Sequence, residues 1–172
     1  LDEAAGRGAG FLAETCAEGE EAAAPAAGAG VRLVHLRYGV VLARDGGALK
    51  KMLPAFRLGL GGRLGSGRQW MPWLTLEDAV GMIDHAIACD GLAGPVNAVA
   101  GSVRNVEFTR ALGRAMRRPV VLPVPAPLLR LAFGQMAEEL LLAGQRVRPR
   151  RLAETGFRPV QPELELALRD LL

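Results

Sequence analysis

Residues 11–36 constrain the fold most, because a helical period there gives way, across two glycines, to a short apolar run of strand length. Phe11, Leu12, Thr15, Cys16 and Gly19 recur near a 3.6-residue period with acids on the opposite side, which predicts a helix over residues 11–24. Gly28 and Gly30 end it. Val31-Arg-Leu-Val-His-Leu36 follows, interrupted only by Arg32 and His35, and reads as a strand buried in a parallel sheet. Helix, glycine turn and buried strand make half of a βαβ repeat, so an α/β architecture is expected.

The same punctuation continues as far as Pro119. After residues 37–42 the turn Asp45-Gly-Gly47 leads into a helix on which Leu49, Met52, Leu53 and Phe56 share a face and Pro54 sets a bend. Five glycines within residues 59–68 require a loop or irregular hairpin. Residues 69–74 read as extended. Thr75 then caps a helix with Asp78 at its third position, and Leu76, Val80, Ile83 and Ile87 form one stripe of that helix. Residues 94–99 form another strand, Asn105 caps a helix carrying Phe108, Leu112 and Ala115, and Pro119 stops it. From Val120 onward the alternation lapses. Pro125 or Pro127, Pro149 and Pro162 sit where helices begin, and Gly134, Gly144 and Gly156 sit where they end, which predicts an appendage of three or four helical pieces. The chain therefore divides into an α/β portion, residues 1–116, and a helical portion, residues 117–172.

Composition narrows the function classes. A chain of 172 residues with 50% hydrophobic and 23% charged side chains can bury a sizeable core, and no run approaches the roughly 20 apolar residues that cross a bilayer. Neither a membrane nor a secretory leader is expected from the residues at hand. Cys16 and Cys89 lack the spacing of a metal site or disulfide framework and read as buried small hydrophobes in a reduced, cytoplasmic setting. The net charge of +3 is uneven: the first 30 residues hold six acids and one Arg, and the remainder holds twenty basic and twelve acidic side chains. A phosphate-bearing ligand suits the second part, although nineteen of the twenty-one cations are Arg, a skew that base composition alone produces. Arg146, Arg148, Arg150 and Arg151 form a basic cluster with no interleaved aromatic residues, so a solvated face is expected there and no nucleic-acid partner.

Local motifs for chemistry are few. Gly8-Ala-Gly-Phe-Leu-Ala13 satisfies a dinucleotide glycine pattern in form, but no strand precedes it and no acid follows at the required distance. The single tyrosine, Tyr38, has Leu42 rather than Lys four residues on, so it reads as a strand-end aromatic before it reads as an acid or base. His85 is expected on the solvated side of its helix, and His35 in a strand. Gly65-Ser-Gly-Arg-Gln-Trp-Met-Pro-Trp73 is the strongest local signal. Its tryptophans, guanidinium and amide behind a glycine loop suit either a wall stacked on a planar or sugar-like ligand or a plug between subdomains.

Taken in order, Phe11-Leu-Ala-Glu, Leu36-Arg-Tyr-Gly-Val-Val-Leu, Asp45-Gly-Gly-Ala-Leu, Phe56-Arg-Leu-Gly-Leu-Gly-Gly, Leu64-Gly-Ser-Gly-Arg-Gln-Trp-Met-Pro-Trp, Gly94-Pro-Val-Asn and Asn105-Val-Glu-Phe-Thr-Arg resemble the NAD(P)-dependent epimerase/dehydratase-like proteins of the extended short-chain dehydrogenase superfamily. The later strings Pro123-Val-Pro-Ala, Gly134-Gln-Met-Ala-Glu-Glu, Gly144-Gln-Arg-Val and Ala167-Leu-Arg-Asp-Leu-Leu resemble the helical domain of unknown function, DUF1731, that closes one subgroup of that family. The resemblance implies the C-terminal part of a Rossmann-type doubly wound parallel sheet with an all-helical appendage, with the nucleotide fingerprint and catalytic tyrosine expected ahead of Leu1. It implies NADP or NAD as cofactor, with Arg37, Gly39 and Val41 beside it, and a small carbonyl, alcohol or sugar-like substrate lined by Arg68, Gln69, Trp70, Trp73 and Asn97. No catalytic residue and no metal ligand is assigned within these residues. The alternative is a protein that holds NADP as a sensor, without turnover. Where related nucleotide-sugar epimerases place an Arg after the loop glutamine, Trp70 follows Gln69 here, which argues against a sugar nucleotide.

Overall fold

Two parallel strand pairs organise the chain in the computed structural model, which describes residues 1–172. β1 (Val34–Tyr38) pairs with β4 (Gly94–Ala98), Arg37 lying opposite Asn97. β2 (Val40–Ala43) runs parallel to β3 (Trp70–Thr75), and β3 pairs antiparallel with β5 (Gly101–Arg104). Helices α1 (Phe11–Ala22), α2 (Ala24–Gly28), α3 (Gly47–Arg57), α4 (Leu76–Ala88) and α5 (Asn105–Ala115) alternate with these strands. The C-terminal portion is indeed helical and in four pieces: α6 (Ala126–Phe133), a π-helical segment Ala137–Leu142, α7 (Arg150–Glu154) and α8 (Leu164–Leu171).

Side-chain alternation along β3 separates two cores. Trp73 points into a cluster of Leu42, Leu49, Leu53 and Phe56 with α5 and α8, and Leu74 points into a second cluster of Ala79, Met82, Val96 and Leu152. Each core therefore closes with a helix from beyond residue 117, α8 in the first and α7 in the second. The helical portion packs into the α/β portion rather than standing beside it.

Several local expectations shift for physical reasons. β1 starts at Val34, and the Arg32 guanidinium ahead of it caps the end of α4, donating to the carbonyls of Ala86 and Leu92 at 2.7 and 2.9 Å and of Ile87 at 3.0 Å. The strand is half-buried rather than buried, since β4 is its one partner. On α4 the stripe of large residues is the outer one. Leu76, Val80, Ile83 and Ile87 are exposed, while the small residues Ala79 and Ala86, with Met82 and Asp78, face inward and let the helix pack on β1, β2 and β3. α1 buries no residue, and Cys16 on it is exposed rather than buried. Asn105 does not cap α5 but begins it. Its Oδ1 accepts the Leu64 N–H at 2.8 Å, and the Glu107 carboxylate accepts the Arg104 N–H at 2.7 Å. His85 is not solvated: its Nε2 lies 2.8 Å from Thr155 Oγ1 and its ring packs on Phe157, docking the chain after α7 onto α4.

Candidate functional site

The carboxyl ends of β1 and β4 lie side by side, the position at which open α/β sheets receive ligands. Gly39 leaves β1 there, its N–H donating to Ala98 C=O at 3.2 Å. A Cβ at Gly39 would stand 2.7 Å from Pro72 O and 3.0 Å from Val99 Cγ1, so glycine is required by the approach of β3. Asn97 is 6% exposed; its Nδ2 donates to Arg148 C=O at 3.1 Å and its N–H donates to Glu3 Oε1 at 3.0 Å. Glu3 Oε1 also accepts the Arg151 N–H at 3.3 Å, while Oε2 is buried without a donor. A buried carboxylate oxygen in that state calls for a ligand hydroxyl or an ordered water.

Arg37 spends its charge inside the chain. Its Nε and Nη2 each lie 2.6 Å from the two oxygens of Glu20, a fork that ties α1 to β1. Hydrogen bonding to Arg37 holds the Glu20 carboxyl below the usual glutamate value, and the same bond raises the Arg37 guanidinium. Tyr38, one residue on, has its phenol raised by burial and stays protonated at neutral pH.

The depressed Glu20 value sets a sign. Its stabilisation is present at neutral pH, above the unfolded-state value, and is lost as pH falls through the lower folded value. α1 has no buried residue to hold it otherwise. Glu20→Gln is therefore expected to speed hydrogen exchange of α1 amides two- to fivefold at neutral pH, the effect of about 0.5–1 kcal/mol for a partly exposed pair. The wild-type exchange should approach that of the variant in acid; identical exchange at both pH values would remove the clasp.

The second group stands on the glycine loop and the start of β3. Two guanidinium groups lie over the Trp70 ring, Arg104 at 4.7 Å and Arg146 at 4.9 Å from its centroid. Trp70 is thus already stacked by the protein itself, which corrects the expectation of an open stacking platform. Gln69 Nε2 donates to Leu64 C=O at 3.1 Å and Leu141 C=O at 2.8 Å, so its amide donors close the loop rather than face a ligand. Arg68 is exposed, with its guanidinium unpaired. Trp73 is 1% exposed and belongs to the first core, and Val41 packs against the second; burial removes Trp73 from any substrate wall. The structure brings Arg37, Gly39 and Asn97 together at the strand ends and Arg68, Gln69 and Trp70 at the loop. Glu3, Arg104 and Arg146 join these groups through contacts of long sequence separation and carry no local motif.

No helix is long and apolar enough to cross a membrane, and no cluster of His, Cys, Asp or Glu has the geometry to hold a metal ion. Residues 124–171 match the family model described as a domain of unknown function, DUF1731. The chain is 49% identical over 158 residues to epimerase family protein Mb2239 of Mycobacterium bovis, covering 91% of this chain and 52% of that protein. It is 46% identical over 154 residues to epimerase family protein SDR39U1 of Mus musculus, covering 88% of this chain and 52% of that one. The crystal structure of human epimerase family protein SDR39U1 (isoform 2) with NADPH superposes with a TM-score of 0.93 at 40% identity, over 99% of this chain and 58% of that chain. The chain spans about half the length of the curated relatives it matches.

Proposed function

The chain belongs to the epimerase family of NAD(P)-dependent short-chain dehydrogenase-like proteins, and from that membership we propose that it forms the substrate-side part of an oxidoreductase using NADPH or NADH. The observation that carries this reading is the paired carboxyl ends of β1 and β4, where Tyr38, Gly39 and Asn97 converge in a fold superposable on an NADPH-bound relative. In this reading Gly39 and the chain at Arg37 and Val41 lie beside the cofactor and supply backbone and shape. The bound nicotinamide would supply hydride. Residues 1–116 contribute strands and loops to that site, and residues 117–172 form the DUF1731-like helical domain that braces it.

The substrate we propose is a small carbonyl, alcohol or sugar-like molecule. Arg68 offers it a free guanidinium and Tyr38 a protonated phenol; Asn97 braces the strand ends, and Gln69 and Trp70 brace the loop, rather than touch the ligand.

Calorimetric titration of NADPH and NADH into this chain, and into a chain of its relatives' full length, tests the reading. Binding by the longer chain with oxidation of NADPH by a member of a carbonyl panel is the expected result. Binding with no turnover across a broad panel would favour a sensor that holds the dinucleotide, and no binding by either chain would overturn both.

A further inference from the structure

α5 ends on an arginine at a position that favours glycine. The Arg118 N–H donates to Gly113 C=O at 2.9 Å and the Arg117 N–H to Arg114 C=O at 3.0 Å. That closure puts Arg117 in the left-handed region, with φ 54°, and it is the one non-glycine residue of the chain found there. Glycine is preferred at such a position because a Cβ crowds the backbone. A residue that stands against the local preference is the pattern expected where a side chain has work to do elsewhere.

The turn delivers Arg117 to an open concavity of about 430 Å³ that it shares with Arg110, Arg114 and Arg118. Of these four, Arg114 alone has a carboxylate partner, Glu165. Residues 108–137 hold five arginines and no acid, and the nearest acid before them, Glu107, accepts the Arg104 N–H at the other end of α5. Arg110 and Arg114 also stand four residues apart on α5, which stacks like charges on one helix face at a cost. A helix C-terminus favours a cation, but that field falls off within one turn and does not account for four converging guanidiniums. Arg110 continues into an adjoining hollow of about 110 Å³ that Arg63 also lines.

We propose that this concavity binds a small anion carrying two or three linked phosphoryl groups. Guanidinium forks match phosphoryl oxygens in pairs, and the converging charges call for more than one such group. The lining contains no aromatic ring on which a base would stack, so the polyphosphate itself is the recognised part. The site stands at the far end of α5 from Arg104, about 16 Å along the helix, and is separate from the strand ends of the dinucleotide reading.

Inorganic tripolyphosphate titrated into the purified protein at constant ionic strength tests the assignment. Saturable one-site binding is expected, with orthophosphate binding at least tenfold more weakly and Arg118→Gln reducing tripolyphosphate affinity at least tenfold. Arg150→Gln, which alters an exposed arginine paired with Glu154, should leave binding unchanged. Arg117→Gly should raise the thermal midpoint by about 3 °C by relieving the left-handed strain, while weakening tripolyphosphate about tenfold. That opposite movement separates a binding role from a folding defect. The proposal is overturned by unsaturable binding, by an equal loss in Arg150→Gln, or by Arg118-dependent binding of a duplex oligonucleotide in preference to tripolyphosphate.

Discussion

Gly62→Ala is expected to lower stability by about 3–4 kcal/mol and to detach the helical portion from the glycine loop. A Cβ at Gly62 would fall 1.5 Å from Leu122 O and 2.6 Å from its carbonyl carbon. Both neighbours are backbone, so no rotamer change relieves the overlap. The two segments are joined immediately beside it by an isolated parallel bridge, with Val124 N–H donating to Arg63 C=O at 2.9 Å and Gly65 N–H to Val124 C=O at 2.8 Å. Moving apart far enough for a methyl group breaks both bonds, at about 1 kcal/mol each, on top of the 1–3 kcal/mol typical of overpacking. The thermal midpoint should fall by about 10 °C. Gly91→Ala is the control, since a Cβ there meets nothing within 4 Å and its backbone is not left-handed. Urea unfolding of the two variants decides the matter: a loss under about 1 kcal/mol for Gly62→Ala would mean that the seam opens without cost.

That seam also explains what could be read from the residues and what could not. The glycine loop was legible as a loop because five glycines in ten residues exclude regular structure. The reason for Gly62 was not, because the crowding atom belongs to Leu122, sixty residues later. The cap at Thr75 was legible since both partners lie within one turn, and the structure has Asp78 N–H donating to Thr75 Oγ1 at 3.0 Å. The orientation of α4 was not. Its large apolar residues form a stripe as clean as the buried one, and only the packing of Ala79 and Ala86 into the second core chooses between the faces. Site residues divide the same way: Gly39 and Asn97 stand at strand ends that the apolar runs locate, whereas the guanidiniums over Trp70 come from Arg104 and Arg146, which no spacing links to it.

Asp78→Ala is expected to cost about 3–4 kcal/mol, because the carboxylate serves both portions of the chain at once. Asp78 is wholly buried. The Thr75 hydroxyl donates to its Oδ2 at 2.9 Å, closing the first turn of α4, and the Val160 N–H donates to its Oδ1 at 2.7 Å. Val160 lies between α7 and α8, the helices that complete the second and first cores respectively. Truncation strands the Val160 N–H and the Thr75 hydroxyl, each worth about 1–3 kcal/mol when left without an acceptor, and removes a negative charge from a helix N-terminus. Asp78→Asn keeps the shape and can still accept from Val160, so it should lose less, about 1–2 kcal/mol. Hydrogen exchange at Val160 distinguishes the contributions. Fast exchange in the alanine variant and slow exchange in the asparagine variant would place the energy in the bond to Val160. Equal losses in both variants would place it in the charge at the start of α4 rather than in the bond that joins the two portions.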